Sequence, residues 1–198
     1  MNCLFWNCQG ISNYATFIVI KRFILTHKPI FFAITEPKIN FSPNYLHLCS
    51  LGFNFLGACK EGPSTETLWI FHHSSLQSVN VINISDQMFT CAFSYAGIYT
   101  VCSLIYAKNR YQDRRSLWLD LLSLSSSVQD PWLVVGDFNA ILIPSEKIGS
   151  SHSPISTREF KAYVEECELC EINLTGAKYT WYRKSLNRIV ASKLDRTF

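Results

Sequence analysis

The sequence predicts one α/β domain, with buried strands covered by helices. Three observations predict it. Residues 4–6, 16–25 and 30–34 read as strand, helix and strand, and the second strand is apolar without a break, which is how an α/β layer begins. Residues 67–72, 79–84, 88–93 and 98–106 then follow at short spacing, joined by turn signals such as Ser85-Asp86 and Ala96-Gly97, the pattern of an antiparallel meander. Finally, residues 132–135 form a run of four apolar side chains, as in a strand buried on both faces, and lead into Gly136-Asp137-Phe138-Asn139.

The bulk properties set the bounds. A chain of 198 residues is long enough for one domain with a sizeable core. A net charge of +3 does not by itself argue for nucleic acid. No apolar run fits a membrane span; Lys21-Arg22 breaks the one around residues 17–25. The first residues lack the basic and apolar regions of a signal peptide, so an intracellular, non-secreted protein is expected. In that setting the eight cysteines are expected to be reduced and structural, and the sequons at Asn40, Asn83 and Asn173 carry little meaning. Cys167 and Cys170 form one pair without a second pair, which does not make a zinc site.

Each element has its own signal. His27-Lys28-Pro29 stops the first helix. Residues 40–66 read as irregular, with Pro, Gly and Ser. Asp113 is the expected N-cap for a helix to residue 124, with Leu117, Leu121 and Leu124 inward. Residues 141–153 read as a loop. Ser156-x-x-Glu159 is a capping box opening a helix with Phe160, Tyr163, Val164 and Cys167 inward. Residues 171–174, 179–182 and 191–198 are the expected last strands.

The chemistry-bearing residues fall at strand ends. Asn7, Glu36, Tyr106, Asp137 and Asn139 each follow a predicted strand, and the carboxyl ends of strands are where α/β sheets place ligands. At strand spacing Asp137 and Asn139 would point to the same side. They are expected to meet Asn7, Glu36 and Tyr106 at one sheet rim. Glu36 and Asp137 are hard oxygen ligands that suit one Mg²⁺ (or Mn²⁺), and such a site polarises a phosphate and lowers the pKa of a water. Gly-Asp-Phe-Asn alone reads equally as an ordinary turn. His72 and His73, adjacent in a strand, point to opposite faces and read as ordinary residues.

Six motifs occur in order: Trp6-Asn7-Cys8-Gln9-Gly10, Thr35-Glu36-Pro37-Lys38, Ile105-Tyr106, Gly136-Asp137-Phe138-Asn139, Tyr179-Thr180-Trp181 and Lys193-Leu194-Asp195-Arg196. Together they resemble the endonuclease/exonuclease/phosphatase superfamily, closest to the endonuclease domain of plant LINE-type (non-LTR) retrotransposons. The resemblance covers almost the whole chain. It implies a DNase I-like fold, a two-sheet β-sandwich flanked by helices in four α/β/β/α layers, and Mg²⁺-dependent phosphodiester hydrolysis on DNA. In that role Glu36 would bind the metal and Asn7 would support the metal and the catalytic Asp. Tyr106 would contact the phosphate, Asp137 would orient or activate water, and Asn139 would hold a phosphate oxygen. Asp195 would orient a catalytic histidine. Trp181, Arg114 and Arg115 would touch the nucleic acid; plain core packing is the alternative for the aromatic side chains.

The sequence also departs from the family pattern. The Ser-Asp-His strand that supplies a metal-side Asp and the catalytic His has no counterpart, and His73 and His152 sit in the wrong context to replace it. Gln9 and Ser192 stand where abasic-site endonucleases carry an Asp and a pocket-walling Trp. Gly62-Pro63-Ser64-Thr65 replaces the glycine pair usual before the strand at 67–72. The expectation is a single domain lacking its last strands and a weak or inactive nuclease, nuclear if it acts on DNA. A working phosphodiesterase with another histidine, a non-catalytic module that binds nucleic acid or protein, and a phosphatase on phosphoinositide-like substrates are the alternatives.

Overall fold

The computed structural model describes residues 1–42, 50–63, 65–173, 175–185 and 188–198. The chain divides into two compact units, Met1–Leu104 and Ile105–Phe198.

The first unit begins with β1 (Cys3–Asn7), α1 (Tyr14–His27) and β2 (Phe31–Thr35). The strands pair in parallel, with α1 as the crossover. The helix is longer than expected at both ends. Asn13 caps it by accepting the Thr16 N–H at 2.7 Å, and Lys28, in a left-handed conformation, returns its N–H to the Ile24 carbonyl before Pro29. Next come β3 (Phe53–Glu61) and β4 (Thr65–His73), giving a mixed sheet in the order β1-β2-β4-β3. Every residue of β2 is buried, which explains its unbroken apolar run. On one face Phe32 and Ile34 pack with Trp69, Phe71 and the Ile20 and Ile24 side chains of α1. Phe32 stacks on Phe71 at 4.4 Å between centroids. On the other face Phe31 meets Phe93 of β6 (Met88–Tyr95) at 4.7 Å. β6 pairs antiparallel with β5 (Asn80–Ile84) and neighbours β7 (Ile98–Tyr106), whose last two residues belong to the second unit.

β3 corrects the expectation of an irregular stretch there. Its pairing with β4 shifts register twice, between Phe55 and Gly57 and again between Cys59 and Lys60. The interruptions remove the period-two signal. At Gly57 an added Cβ would stand 2.8 Å from the Phe89 ring, so the strand follows from packing rather than pattern.

The second unit contains α2 (Arg115–Ser125), β8 (Trp132–Asp137), β9 (Lys147–Ile148), α3 (Pro154–Glu166), β10 (Trp181–Ser185), β11 (Arg188–Ser192) and β12 (Asp195–Thr197). β8 and β12 are antiparallel, with Asp195 opposite Asp137 and Arg196 opposite Gly136. β10, β11 and β9 form a separate three-stranded sheet. Trp118, Phe138, Phe160 and Phe198 make the aromatic core, with Phe160 about equally close to Trp118 and Phe138, at 5.1 and 5.2 Å.

Several expectations shift here. Within residues 132–135 only Val134 is fully buried. Arg114, not Asp113, precedes α2, and it makes no side-chain cap. The N-cap of α3 is Ser153, which accepts the Ser156 N–H, so the helix starts earlier than the capping-box reading placed it. Residues 171–173 form no strand, and Leu174 lies outside the described residues. Residues 191–198 do not run as one strand. The Lys193 N–H goes to the Glu146 carbonyl and the Leu194 N–H to Thr180 Oγ1, which separates β11 from β12, strands of two different sheets.

A charged network lies inside this unit. Arg196, 1 % exposed, donates through Nη2 to Glu146 and through Nη1 to Glu171, and Glu171 also pairs with Lys193. Glu146 further accepts the Leu142 and Ile143 N–H groups. The buried charges are thus paired, as they must be at low dielectric, and of the Arg196 guanidinium nitrogens only Nε is without a hydrogen-bond partner among the described residues.

The seven described cysteines are unbridged thiols. Among the described residues no helix is long and apolar enough to cross a membrane.

Candidate active site

In the first unit, β1 and β2 continue to bond past their ends. The Cys8 N–H reaches the Thr35 carbonyl, Gly10 reaches the Glu36 carbonyl at 2.9 Å, and Ile11 reaches that of Pro37. This brings Asn7 and Glu36 together. Asn7 Nδ2 donates to Glu36 Oε1 at 2.7 Å, and Asn7 Oδ1 accepts the Gln9 N–H at 3.2 Å. The amide is fixed from one side by backbone and fixes the carboxylate on the other. Gln9, Glu36 and Lys38 all take left-handed φ angles, of 49°, 50° and 60°. Each such conformation costs a non-glycine residue about 1–3 kcal/mol, a cost that clusters where the surroundings impose it at working sites. The sequence gives no signal for this, because none of the three is Gly or Asn.

In the second unit, Asp137, Asn139 and Asp195 come together, but not by strand spacing. β8 ends at Asp137, and Asn139 has φ 47°, so the chain turns back. The Asn139 N–H bonds Asp137 Oδ1 at 2.8 Å, a turn closed by the Asp side chain. Asn139 Nδ2 donates to the Ala107 carbonyl at 2.6 Å, directly after Tyr106, which is half-buried at the end of β7. Gly136 is required by close approach. A Cβ there would lie 2.0 Å from the Ile105 carbonyl oxygen. Asp195 faces Asp137 across the β8–β12 pair. Burial pushes its pKa up, and hydrogen bonding with the Thr180 side chain opposes the shift. Thr180 Oγ1 also accepts the Asp195 N–H at 3.1 Å. Sequence reading passed over Thr180, although it stands inside the Tyr179-Thr180-Trp181 motif.

The expected nucleic-acid contacts divide. Arg114 is corrected: it is 3 % exposed, and its guanidinium donates to the carbonyls of Lys108, Asn109 and Asn139 and to Ser156 Oγ. It pins the Asn139 turn, with almost none of its surface open to solvent. Arg115 is exposed and paired with Glu159 at 2.6 Å. Trp181, 37 % exposed, is at the start of β10. His73 Nδ1 lies 2.8 Å from Ser75 Oγ, and His72 contacts the His73 carbonyl. Among the described residues no three His, Cys, Asp or Glu side chains gather as a metal cage.

The model of the Endonuclease/Exonuclease/phosphatase family matches residues 4–198. No curated protein matches the chain in sequence. Among solved structures, the endonuclease domain of TRAS1, a telomere-specific non-LTR retrotransposon, is 16% identical with a TM-score of 0.73, over 99% of this chain and 83% of that one. The AP endonuclease LMAP from Leishmania major is 12% identical with a TM-score of 0.70, over 96% of this chain and 78% of that one. D. rerio TDP2, complexed with single strand DNA product, is 15% identical with a TM-score of 0.62, over 98% and 81%. The fold is the one expected, an α/β fold of two sheets with flanking helices, DNase I-like.

Proposed function

Because the chain belongs to the endonuclease/exonuclease/phosphatase family, we propose that it is a metal-dependent phosphodiesterase of the retrotransposon-endonuclease type, of the plant LINE branch, acting on DNA and therefore in the nucleus. The observation that carries this reading is the Glu36 carboxylate, oriented by the Asn7 amide on a left-handed backbone. Its donor set is hard oxygen, which fits Mg²⁺; that ion keeps most of its waters and takes only one or two carboxylates from the protein. When bound, Mg²⁺ supplies charge against the phosphate and lowers the pKa of a water.

The chain's own residues divide the remaining work. Asn7 acts as a positioning residue for Glu36, and the second lone pair of its amide oxygen can also face the cation. Asp137 accepts a proton from water or orients it. Asn139, held by Ala107 and Arg114, offers its side chain to a phosphate oxygen, and the Tyr106 hydroxyl does the same. Asp195, which the resemblance pairs with an imidazole, is hydrogen-bonded with Thr180. Ser-Asp-His does not occur in these 198 residues, so we read them as binding DNA and metal and cleaving slowly. The Asp195–Thr180 contact equally favours a second reading, a module that binds nucleic acid without cutting it.

Nicking of supercoiled plasmid in Mg²⁺ separates the two. Cleavage that Asp137→Asn abolishes supports the enzyme, and DNA binding with no cleavage supports the module. Titration with Mg²⁺ tests the metal assignment directly. Glu36→Gln should bind several-fold more weakly than the parent; equal binding removes Glu36 from the metal site.

A further inference from the structure

The second unit contains a pocket of about 290 Å³ beside Asn139. Among its lining residues Asn139 has a role in the reading above, and Arg114 holds the Asn139 turn. Arg110, Lys147 and His152 line it from three separate segments: the loop after β7, the start of β9, and the turn before α3. No Asp or Glu is among the residues that line it. Glu146, next to Lys147 in sequence, gives its carboxylate to Arg196 and to the Leu142 and Ile143 N–H groups. Among the described residues neither Lys147 nor Arg110 has an ion-pair partner. Thr157 also lines the pocket, and its Oγ1 is buried with no hydrogen-bond partner among the described residues. A buried hydroxyl in that state costs about 1–3 kcal/mol unless something bonds it.

We propose that this pocket is a phosphate-binding subsite that holds a backbone phosphate of the substrate strand next to the one at Asn139. The inference rests on the proposed function and names a feature of its substrate: a strand with at least two phosphates rather than a lone phosphoester. The chemistry matches on three counts. Convergent cationic and titratable groups without a carboxylate select an anion. Lys147, a compact charge with three donors, suits a phosphate oxygen. The volume, at the low end for small-ligand sites of roughly 300 Å³ and upward, accommodates a phosphate with its sugar and excludes a large planar ligand.

The test is binding to the full chain in EDTA, so its outcome does not depend on metal or on turnover. A fluorescent single-stranded decanucleotide would be titrated at several salt concentrations against the parent, Lys147→Glu, and Lys21→Glu on α1 as a control for net charge. Lys147→Glu should weaken binding about tenfold and lower the salt slope by about 1, while Lys21→Glu should change affinity less than twofold. Inorganic phosphate should displace the oligonucleotide from the parent and shift the His152 ring protons in the NMR spectrum. Lys147→Glu should weaken inorganic phosphate and the oligonucleotide alike, because both occupy the pocket; a parent affinity for the decanucleotide no tighter than for inorganic phosphate identifies free phosphate and overturns the strand assignment. Equal effects of the two charge reversals, or an unmoved His152 signal, overturn the subsite. Failure of plasmid nicking alongside a positive binding result would reject the enzyme and leave the subsite standing.

Discussion

Gly136→Ala should be among the most damaging single-methyl additions to the second unit. The added Cβ would meet the Ile105 carbonyl oxygen at 2.0 Å and the Ile105 carbonyl carbon and nitrogen at 2.8 Å. An ordinary carbon–oxygen contact is about 3.3 Å, so backbone must move by roughly 1.3 Å. No side chain can rotate away, because all three obstructing atoms are backbone. Gly136 also has φ +153°, a region that L residues rarely adopt. Overpacking costs about 1–3 kcal/mol and the forced conformation a similar amount, so the expected loss is about 4 kcal/mol. For a chain of this size that is about 8–16 °C in Tm. Gly97→Ala is the control. Gly97 has φ +80° and nothing within 4 Å of an added Cβ, so only the conformational cost of about 1 kcal/mol applies. Urea unfolding of both variants with unchanged m-values reads the difference. If the two variants lose the same stability, the contact with Ile105 is not what requires glycine before Asp137.

Three further outcomes are expected. Arg196→Met should cost about 3–5 kcal/mol by leaving the Glu146 carboxylate buried without its cation, and adding Glu146→Gln should recover a large part of that; urea unfolding of the four-member cycle measures the coupling. Asp195→Asn should be more stable than the parent at pH 7. Burial raises the folded-state pKa of Asp195 above the usual 3.8, so its contribution is fully present below pH 3.8 and lost as pH rises through the folded value. The advantage of the Asn variant should therefore vanish in acid, and a constant gain from pH 3 to 7 would reject the assignment. Thiol titration should find Cys170 reactive in the native protein, with Cys170→Ser removing one fast equivalent. Cys59 and Cys91, whose pKa values burial pushes up to about 12, should react only on unfolding.

What was legible in the sequence follows from where the signal lies. β2 was legible because both its faces are covered, so every residue is apolar. β3 was not, because its two register shifts erase the alternation on which strand reading depends. The positions of Asn7, Glu36, Asp137 and Asn139 at strand ends were legible; how they are held was not. Asn139 reaches Asp137 through a left-handed turn, which strand spacing cannot express, although Asn tolerates that conformation better than most residues. Arg114 was misread for a different reason. An arginine in a loop near a phosphate motif usually faces solvent, and only the folded chain shows three carbonyls converging on one guanidinium.

The last step concerns β12, where support and chemistry alternate with the pleat. Successive strand residues point to opposite faces, so Asp195 and Arg196 must face apart. Arg196, opposite Gly136, turns into the network of Glu146 and Glu171 and lies over the Phe160 ring at 5.7 Å. Asp195, opposite Asp137, is left on the other face beside Thr180. A slip of one residue would exchange the two. It would bury a carboxylate against Glu146 and remove the guanidinium from it, leaving like charges together at low dielectric. The ion network therefore reinforces a register that backbone bonds also set, the Phe138 N–H on the Leu194 carbonyl and Val134 and Phe198 bonding reciprocally. The placement of Asp195 against Asp137 is thus supported by an ion network on the opposite face of β12.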